Sequence, residues 1–294
     1  MIGIGEIFAL SSALVWAIAV IMFTKIGSRL PAFELNLVKN TIGFVLLALT
    51  SLLFEGLQWP SLTLHEWTVL IISGLIGIAI ADTLYMKALN TIGAGSTGII
   101  AALYSPSVVF LSLIYLGESL SYWQWLGMLI VLSGIILISL DKPQRVLETS
   151  HPFKGILYAA TSVFLTALGV VMIKPIVEQQ PFFFVTGARL LIGVLGMLVY
   201  LMLQRRLITT FNALIKVEKW PQIILSSILG AYIAMTLWLA GYKFTDASIA
   251  AILNETNFIF IVVFAWLFLK ESISVKKIMG SALTLTGVVV VLLL

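Results

Sequence analysis

No cysteine occurs among the 294 residues of this chain, which excludes disulfides, thiolate nucleophiles and thiolate-held metals. Charge is nearly as scarce. Asp, Glu, Lys and Arg together make up 10% of the sequence, where a soluble domain carries roughly a quarter. There are 2 histidines, His65 and His151, and no His-Glu-x-x-His cluster of the kind a zinc hydrolase needs. An aspartyl protease would need two aspartates facing each other in mid-membrane, and Asp246 opens a span rather than facing Asp82. The expectation is a chain that is no enzyme and takes no metal and no cofactor.

What is present in excess is apolar surface, with 61% hydrophobic residues and a mean hydropathy of +1.12. The apolar segments are long enough to cross ~30 Å of hydrocarbon as helices, and they lack the ~10-residue alternation of a transmembrane barrel strand. The expected class is an all-α membrane protein, multi-pass, in a cell membrane such as a bacterial plasma membrane. The first residues carry Glu6 instead of the basic lead of a signal peptide, and the apolar stretch to Phe23 reads as the first span. A net charge of +4 does not call for nucleic acid, because Lys and Arg are enriched in the cytoplasmic loops of membrane proteins.

Pro, Asn, Gly and charge clusters divide the chain into ten spans, beginning near residues 4, 34, 66, 94, 121, 153, 181, 220, 246 and 274. Trp67, Trp123, Trp125 and Trp220 stand at span beginnings, where an indole can keep its N–H in the wet layer. "DKPQRVLETSHP", residues 141–152, is the most polar linker and suits a joint between halves. Residues 204–219, "QRRLITTFNALIKVEK", read equally as a surface amphipathic helix or a solvated loop.

The halves on either side of that joint match. At an offset of 150, Pro31 pairs with Pro181, Lys39 with Arg189 and Gly43 with Gly193. At an offset of 153, Trp67 pairs with Trp220, Gly77 with Gly230, Ala94 with Ala247, Glu118 with Glu271, Gly127 with Gly280 and Gly134 with Gly287. The chain therefore reads as two five-helix repeats, 1–140 and 153–294. An odd number of spans per copy makes consecutive copies enter the membrane from opposite sides, as in the inverted repeats of secondary transporters. Loop charge agrees. The segment "EGLQWPSLTLHE" has no Lys or Arg, whereas its counterpart holds Arg205, Arg206, Lys216 and Lys219. Loops after odd spans hold thirteen Lys and Arg in all, from Lys25 to Lys277, against only Lys174 and Lys243 after even spans. Positive-inside reasoning then places both termini outside.

The order of these features resembles the EamA family of the drug/metabolite transporter superfamily. The likeness rests on "YMKALNTIGAGSTGIIAALYSP…YLGESLSYWQWLGMLIVLSGIIL" and its echo "GYKFTDASIAAILNETN…FLKESISVKKIMGSALTLTGVVV". It implies a ten-helix bundle of two inverted units, commonly an exporter of amino acids or other small metabolites, with the fifth and tenth helices structural. It also implies termini inside, against the loop charges. Relatives often carry a Glu-Pro pair in span nine, where this chain has Glu255 without proline. Small multidrug relatives place a glutamate within span one, where this chain has Trp16 and only the peripheral Glu6.

Ionisable side chains at mid-depth are candidates for function, since burying them in hydrocarbon is costly. Arg189 lies eight residues past Pro181, ~12 Å into the membrane, and Glu255 comes to a similar depth past Asp246. A guanidinium can hold a carboxylate and a carboxylate can hold an ammonium or a proton, which suits a zwitterionic substrate; alternatively the two neutralise each other inside the bundle. Asn254, Asn257, Asp82, Tyr104, Trp16 and Trp238 complete the candidate substrate contacts, with interhelical bonding or packing as the other reading for each. Asp82 is expected in an ion pair local to its helix end, near Lys87 and Tyr85, and Lys39 is expected to snorkel to the surface beside Lys25 and Arg29. Gly127, Gly134, Gly280 and Gly287 are expected to let helices approach a neighbour closely. The expected partners are a small-molecule substrate, a coupling proton or ion, and membrane lipid. A channel or a sensor that moves no solute is the competing reading, and saturable, carrier-like flux would separate them.

Overall fold

The computed structural model describes residues 2–27, 31–56, 60–139, 152–215, 217–218, 220–269 and 274–293, which are helical with no strand among them. The first half holds α1 (Ile4–Gly27), α2 (Ala32–Phe54), α3 (Leu64–Ser73), a π-helical stretch Gly74–Ala81, α4 (Asp82–Ala101), α5 (Tyr104–Tyr115) and α6 (Tyr122–Ser139). The second holds α7 (Pro152–Gln179), α8 (Phe182–Leu203), α9 (Leu207–Ile215), α10 (Trp220–Ser227), a second π-helical stretch Ile228–Ala234, α11 (Met235–Phe244), α12 (Ala247–Asn254), α13 (Asn257–Leu269) and α14 (Val275–Leu293). Among the described residues 8 stretches are long and apolar enough to cross a membrane, with Tyr104–Tyr115 and Tyr122–Ile138 as shorter apolar helices. This is a multi-pass membrane protein.

Helix starts follow local chemistry. Pro31 and Pro181, which have no N–H to leave unsatisfied, precede α2 and α8. Thr63 and Glu66 form a capping box at α3. One expected boundary moves: the backbone stays helical from Asp82 to Ala101 instead of turning near residue 94, and the break falls at Ala102–Leu103. No proline forces a stop at "GAGST", and glycine within a helix costs only ~1 kcal/mol. The chain nevertheless reverses between Ile92 and Glu118. Ser73 bonds Gly169, Ala81 bonds Ser162 and Gly155 abuts Ile92, so α3–α4 descend along α7 toward its start. Glu118 then sits back at Ala247, beside the Thr245 carbonyl that binds Lys174 near the end of α7.

Corresponding parts of the two halves meet. The two π-helical stretches occupy matching positions, and the break at Glu255–Thr256 between α12 and α13 lies 153 residues after that at Ala102–Leu103. In α6 and α14 a Cβ on Gly127 would meet the Gly287 carbonyl at 2.8 Å, and one on Gly134 the Gly280 carbonyl at 2.5 Å, so these helices run antiparallel at backbone contact. The neighbour expected for the glycines is thus each other's helix. α2 and α8 also run antiparallel, from Phe33 against Tyr200 to Glu55 at the start of α8.

Most of the described carboxylates gather at one end. Glu6 on Thr245, Glu55 on Phe183, Glu66 on Gln180 and Glu118 on Ala247 gather at one end with Asp246, while Arg206 with Glu34 and Lys87 over Tyr158 lie at the other. Glu118 accepts the Ala247 and Ser248 N–H groups at 2.7 and 3.0 Å, so the "ES" ending of the first half closes the N-terminus of α12. Glu271 lies outside the described residues. Residues 207–215 form the amphipathic helix α9, with Ile208 and Ile215 exposed and Leu214 buried.

Candidate functional site

Three buried charged groups occupy the middle of the bundle. Lys39 on α2 is 1% exposed and donates from Nζ to Asp82 Oδ2 at 2.6 Å. It does not snorkel. Its neighbours Asn36 and Asn40 are wholly buried on the same helix, and in a medium of low polarity a carboxylate at contact outweighs a distant water layer. Asp82 correspondingly pairs across to α2 and not with Lys87, whose Nζ rests 5.9 Å from the Tyr158 ring centroid. Asn36 fastens this region by donating to the Ile78 carbonyl at 3.0 Å, in the π-helical stretch where the regular ladder is disturbed.

A narrow cleft lies beside the pair, lined by Trp16, Val20, Phe23, Lys39, Asp82, Tyr85, Met86 and Leu89. It extends from the middle of α1 toward that helix's C-terminal, basic end. Lys39 also lies 5.9 Å from the Trp16 ring centroid. Asp82 and Trp16 therefore share one cleft, and neither Arg189 nor Glu255 lines it.

Arg189 on α8 sits deeper. It is 1% exposed, and its Nε and Nη1 are buried without a hydrogen-bond partner among the described residues. Its guanidinium carbon stands 5.6 Å from the Trp238 ring centroid. Nη2 fills a gap that exists only because two residues lack side chains: a Cβ on Gly77 would come within 2.6 Å of it and one on Gly169 within 3.2 Å. Trp238 packs edge-on against Tyr242, whose hydroxyl bonds that of Tyr104 at 2.5 Å.

Glu255 is 2% exposed at the α12–α13 break, and its Oε1 accepts the Ser105 N–H at 3.1 Å just past the α4–α5 break. The two interrupted helices thus meet at a carboxylate, and no ion pair joins Glu255 to Arg189 among the described residues. Mutual neutralisation is not how either group is accommodated. Tyr104 and Ser105 connect the two groups, one through Tyr242 and Trp238, the other directly. Asn254 donates to the Ala250 carbonyl of its own helix at 3.1 Å, and Asn257 is half-buried at the start of α13. Sequence reasoning passed over Asn36, Tyr242, Ser105 and Gly169. Gly77 carried a signal through its match to Gly230, but not its reason.

At the acidic end, outside the spans, Asp246 has its carboxyl pushed up from the usual aspartate range by partial burial and then by Glu118. Lys174 opposes this shift; its Nζ binds the Tyr242 and Thr245 carbonyls at 2.7 and 2.9 Å.

The model of the EamA-like transporter family matches residues 3–140 and again 153–293. The chain belongs to this family. It is 23% identical over 292 residues to an uncharacterized transporter of Archaeoglobus fulgidus, covering 98% of this chain and 97% of that one. It is 39% identical over 71 residues to the uncharacterized inner membrane transporter YicL of Salmonella typhimurium, a match spanning 24% of each chain. With an uncharacterized transporter of Methanothermobacter thermautotrophicus it shares 19% identity over 224 residues, 76% of this chain and 64% of the relative's length. A solved crystal structure of a protein 18% identical shares the fold at a TM-score of 0.76, covering 97% of this chain and 95% of that one. The chain is a member of a membrane transporter family.

Proposed function

We propose that this EamA-family protein is a secondary transporter, an exporter of amino acids or similar small metabolites, working by alternating access between two inverted five-helix repeats. The observation that carries the reading is Arg189, a mid-membrane guanidinium with two buried nitrogens that have no hydrogen-bond partner among the described residues, roofed by Trp238. A fold does not keep such a cation without return, since an unpaired buried charge costs several kcal/mol. A ligand that binds there supplies the missing bonds.

Ten passes in two copies are supported by the matching π-helical stretches, the matching breaks, the chain reversal between Ile92 and Glu118 and the antiparallel glycine contact of α6 with α14. Export follows the family resemblance; the cleft, which runs toward the basic end that positive-inside reasoning puts in the cytoplasm, gives the conformation in which such an exporter would load. The test is counterflow of a metabolite panel in proteoliposomes, with Arg189→Met and Glu255→Gln combined in one protein. A folded double variant without counterflow is the expected result; normal counterflow removes these residues from the mechanism. Flux that never saturates favours the channel reading.

A further inference from the structure

Where α8 gives way to α9, an arginine holds a backbone conformation that side chains avoid. Arg205 has a φ of 54°. Its N–H donates to the Met202 carbonyl at 3.0 Å and the Arg206 N–H to the Leu201 carbonyl at 2.9 Å, the helix ending whose left-handed position is usually glycine. Arg206 reaches the buried Glu34 at 3.6 Å, but Arg205 is exposed and makes no ion pair among the described residues. The unfavourable turn is therefore not explained by a charge partner within the fold.

The helix that follows has three faces. At ~100° per residue, Leu207, Thr210 and Leu214 turn toward the bundle, Leu214 within the packed cluster that includes Phe23 and Met86 of the cleft wall. Ile208, Phe211 and Ile215 fall within the adjoining ~60° and are all exposed. Thr209, Asn212 and Ala213 take the remaining side. A helix between protein and water needs only two faces. An apolar flank between them is what a helix lying in the membrane interface presents to the acyl chains. Exposed Met202 and Leu203 precede Arg205 at the end of α8, so its guanidinium stands between two apolar, outward-facing surfaces.

From this arrangement we infer that the corner between α8 and α9 binds an anionic phospholipid, Arg205 holding the phosphodiester while Leu203, Ile208, Phe211 and Ile215 lie along the acyl chains. The inference is independent of what is transported. A guanidinium fork matches phosphate oxygens, and its apolar stem can run along the neighbouring side chains. Charge selects the headgroup. Residues 204–219 carry Arg205, Arg206, Lys216 and Lys219 against Glu218 alone, so a zwitterionic lipid would bring its own cation into a positive field. Positive-inside reasoning puts this end at the cytoplasmic leaflet, whose surface is negative where anionic lipids are present.

The test uses full-length protein in nanodiscs of phosphatidylglycerol and phosphatidylcholine in equal parts, with the same acyl chains, and native mass spectrometry of the lipids retained on release. The unmodified protein should retain phosphatidylglycerol in excess. Arg205→Gln should cut that excess ~5-fold, the effect of one basic residue at an anionic surface. Lys87→Gln, which removes another exposed cation from the same end, should leave it unchanged. Phe211→Asn should lower retention of phosphatidylglycerol through the chains. Arg205→Gly separates lipid from fold: the turn suits glycine, so the melting temperature in phosphatidylcholine should hold or rise while the excess is lost. Equal retention of the two lipids by the unmodified protein, or an excess that survives in Arg205→Gln, overturns the site. An equal loss in Lys87→Gln reduces it to diffuse surface charge and overturns it too. A lower melting temperature for Arg205→Gly in phosphatidylcholine would assign the arginine to the fold and overturn its role.

Discussion

A Cβ placed on Gly77 would stand 2.6 Å from Nη2 of Arg189, so a glycine in a π-helical stretch holds open the space in which a cation on α8 rests. Gly77→Ala should displace the guanidinium from Trp238 at a stability cost in the range of ~1–3 kcal/mol seen for overpacking. Substrate binding should weaken more than the fold. Thermal melts alongside ligand titration check this, and an alanine variant that binds normally would show the arginine position to be immaterial.

Lys39 and Arg189, matched in sequence, should respond in opposite ways to loss of charge. Lys39→Met strands Asp82, whose side chain is 20% exposed, and should cost up to roughly 3–5 kcal/mol. Adding Asp82→Asn should restore much of that loss. Arg189→Met removes a cation with no ion-pair partner among the described residues and should leave the melting temperature unchanged or raised. Chemical denaturation of the four proteins provides the comparison.

Gly134 and Gly287 lie in the backbone contact of α6 with α14, where a Cβ on Gly134 would meet the Thr284 hydroxyl and the Gly280 carbonyl. Leucine at either position should wedge the helices apart and lower thermal stability before it touches binding. A leucine variant with unchanged melting and lost transport would assign the glycines to motion.

The absence of cysteine makes topology directly measurable. Cysteines at Ser61 and Asn212, both exposed, should react with an impermeant reagent from outside and inside respectively; Thr210, 3% exposed, would be a poor choice on the same loop. The reverse labelling would overturn the orientation read from loop charge and reinstate termini inside.

Asp246 should impose a small pH dependence. Its carboxyl is pushed up in the folded protein, so the fold binds a proton more readily than the unfolded chain, and stability falls as pH rises from the ordinary aspartate value of 3.8 through the raised one. Asp246→Asn should therefore stabilise at neutral pH and lose that advantage in acid. A gain independent of pH would assign the effect to helix capping.

Much of this molecule is legible in its residues. Hydropathy alone dictates a helical membrane protein, because a backbone in lipid must satisfy its own hydrogen bonds. The spacing of glycines, prolines and tryptophans exposes the repeat, since hydrophobicity would not place them, and depth from Pro181 and Asp246 singles out Arg189 and Glu255. Partnership is different. That Lys39 is buried against Asp82, that Glu255 meets Ser105 across two broken helices, and that Arg189 is left unpaired above Trp238 depends on which helix faces which. Sequence spacing orders side chains along one helix, but the strength of a charge in the membrane is set by atoms a few ångströms away on another, and only tertiary packing chooses those atoms.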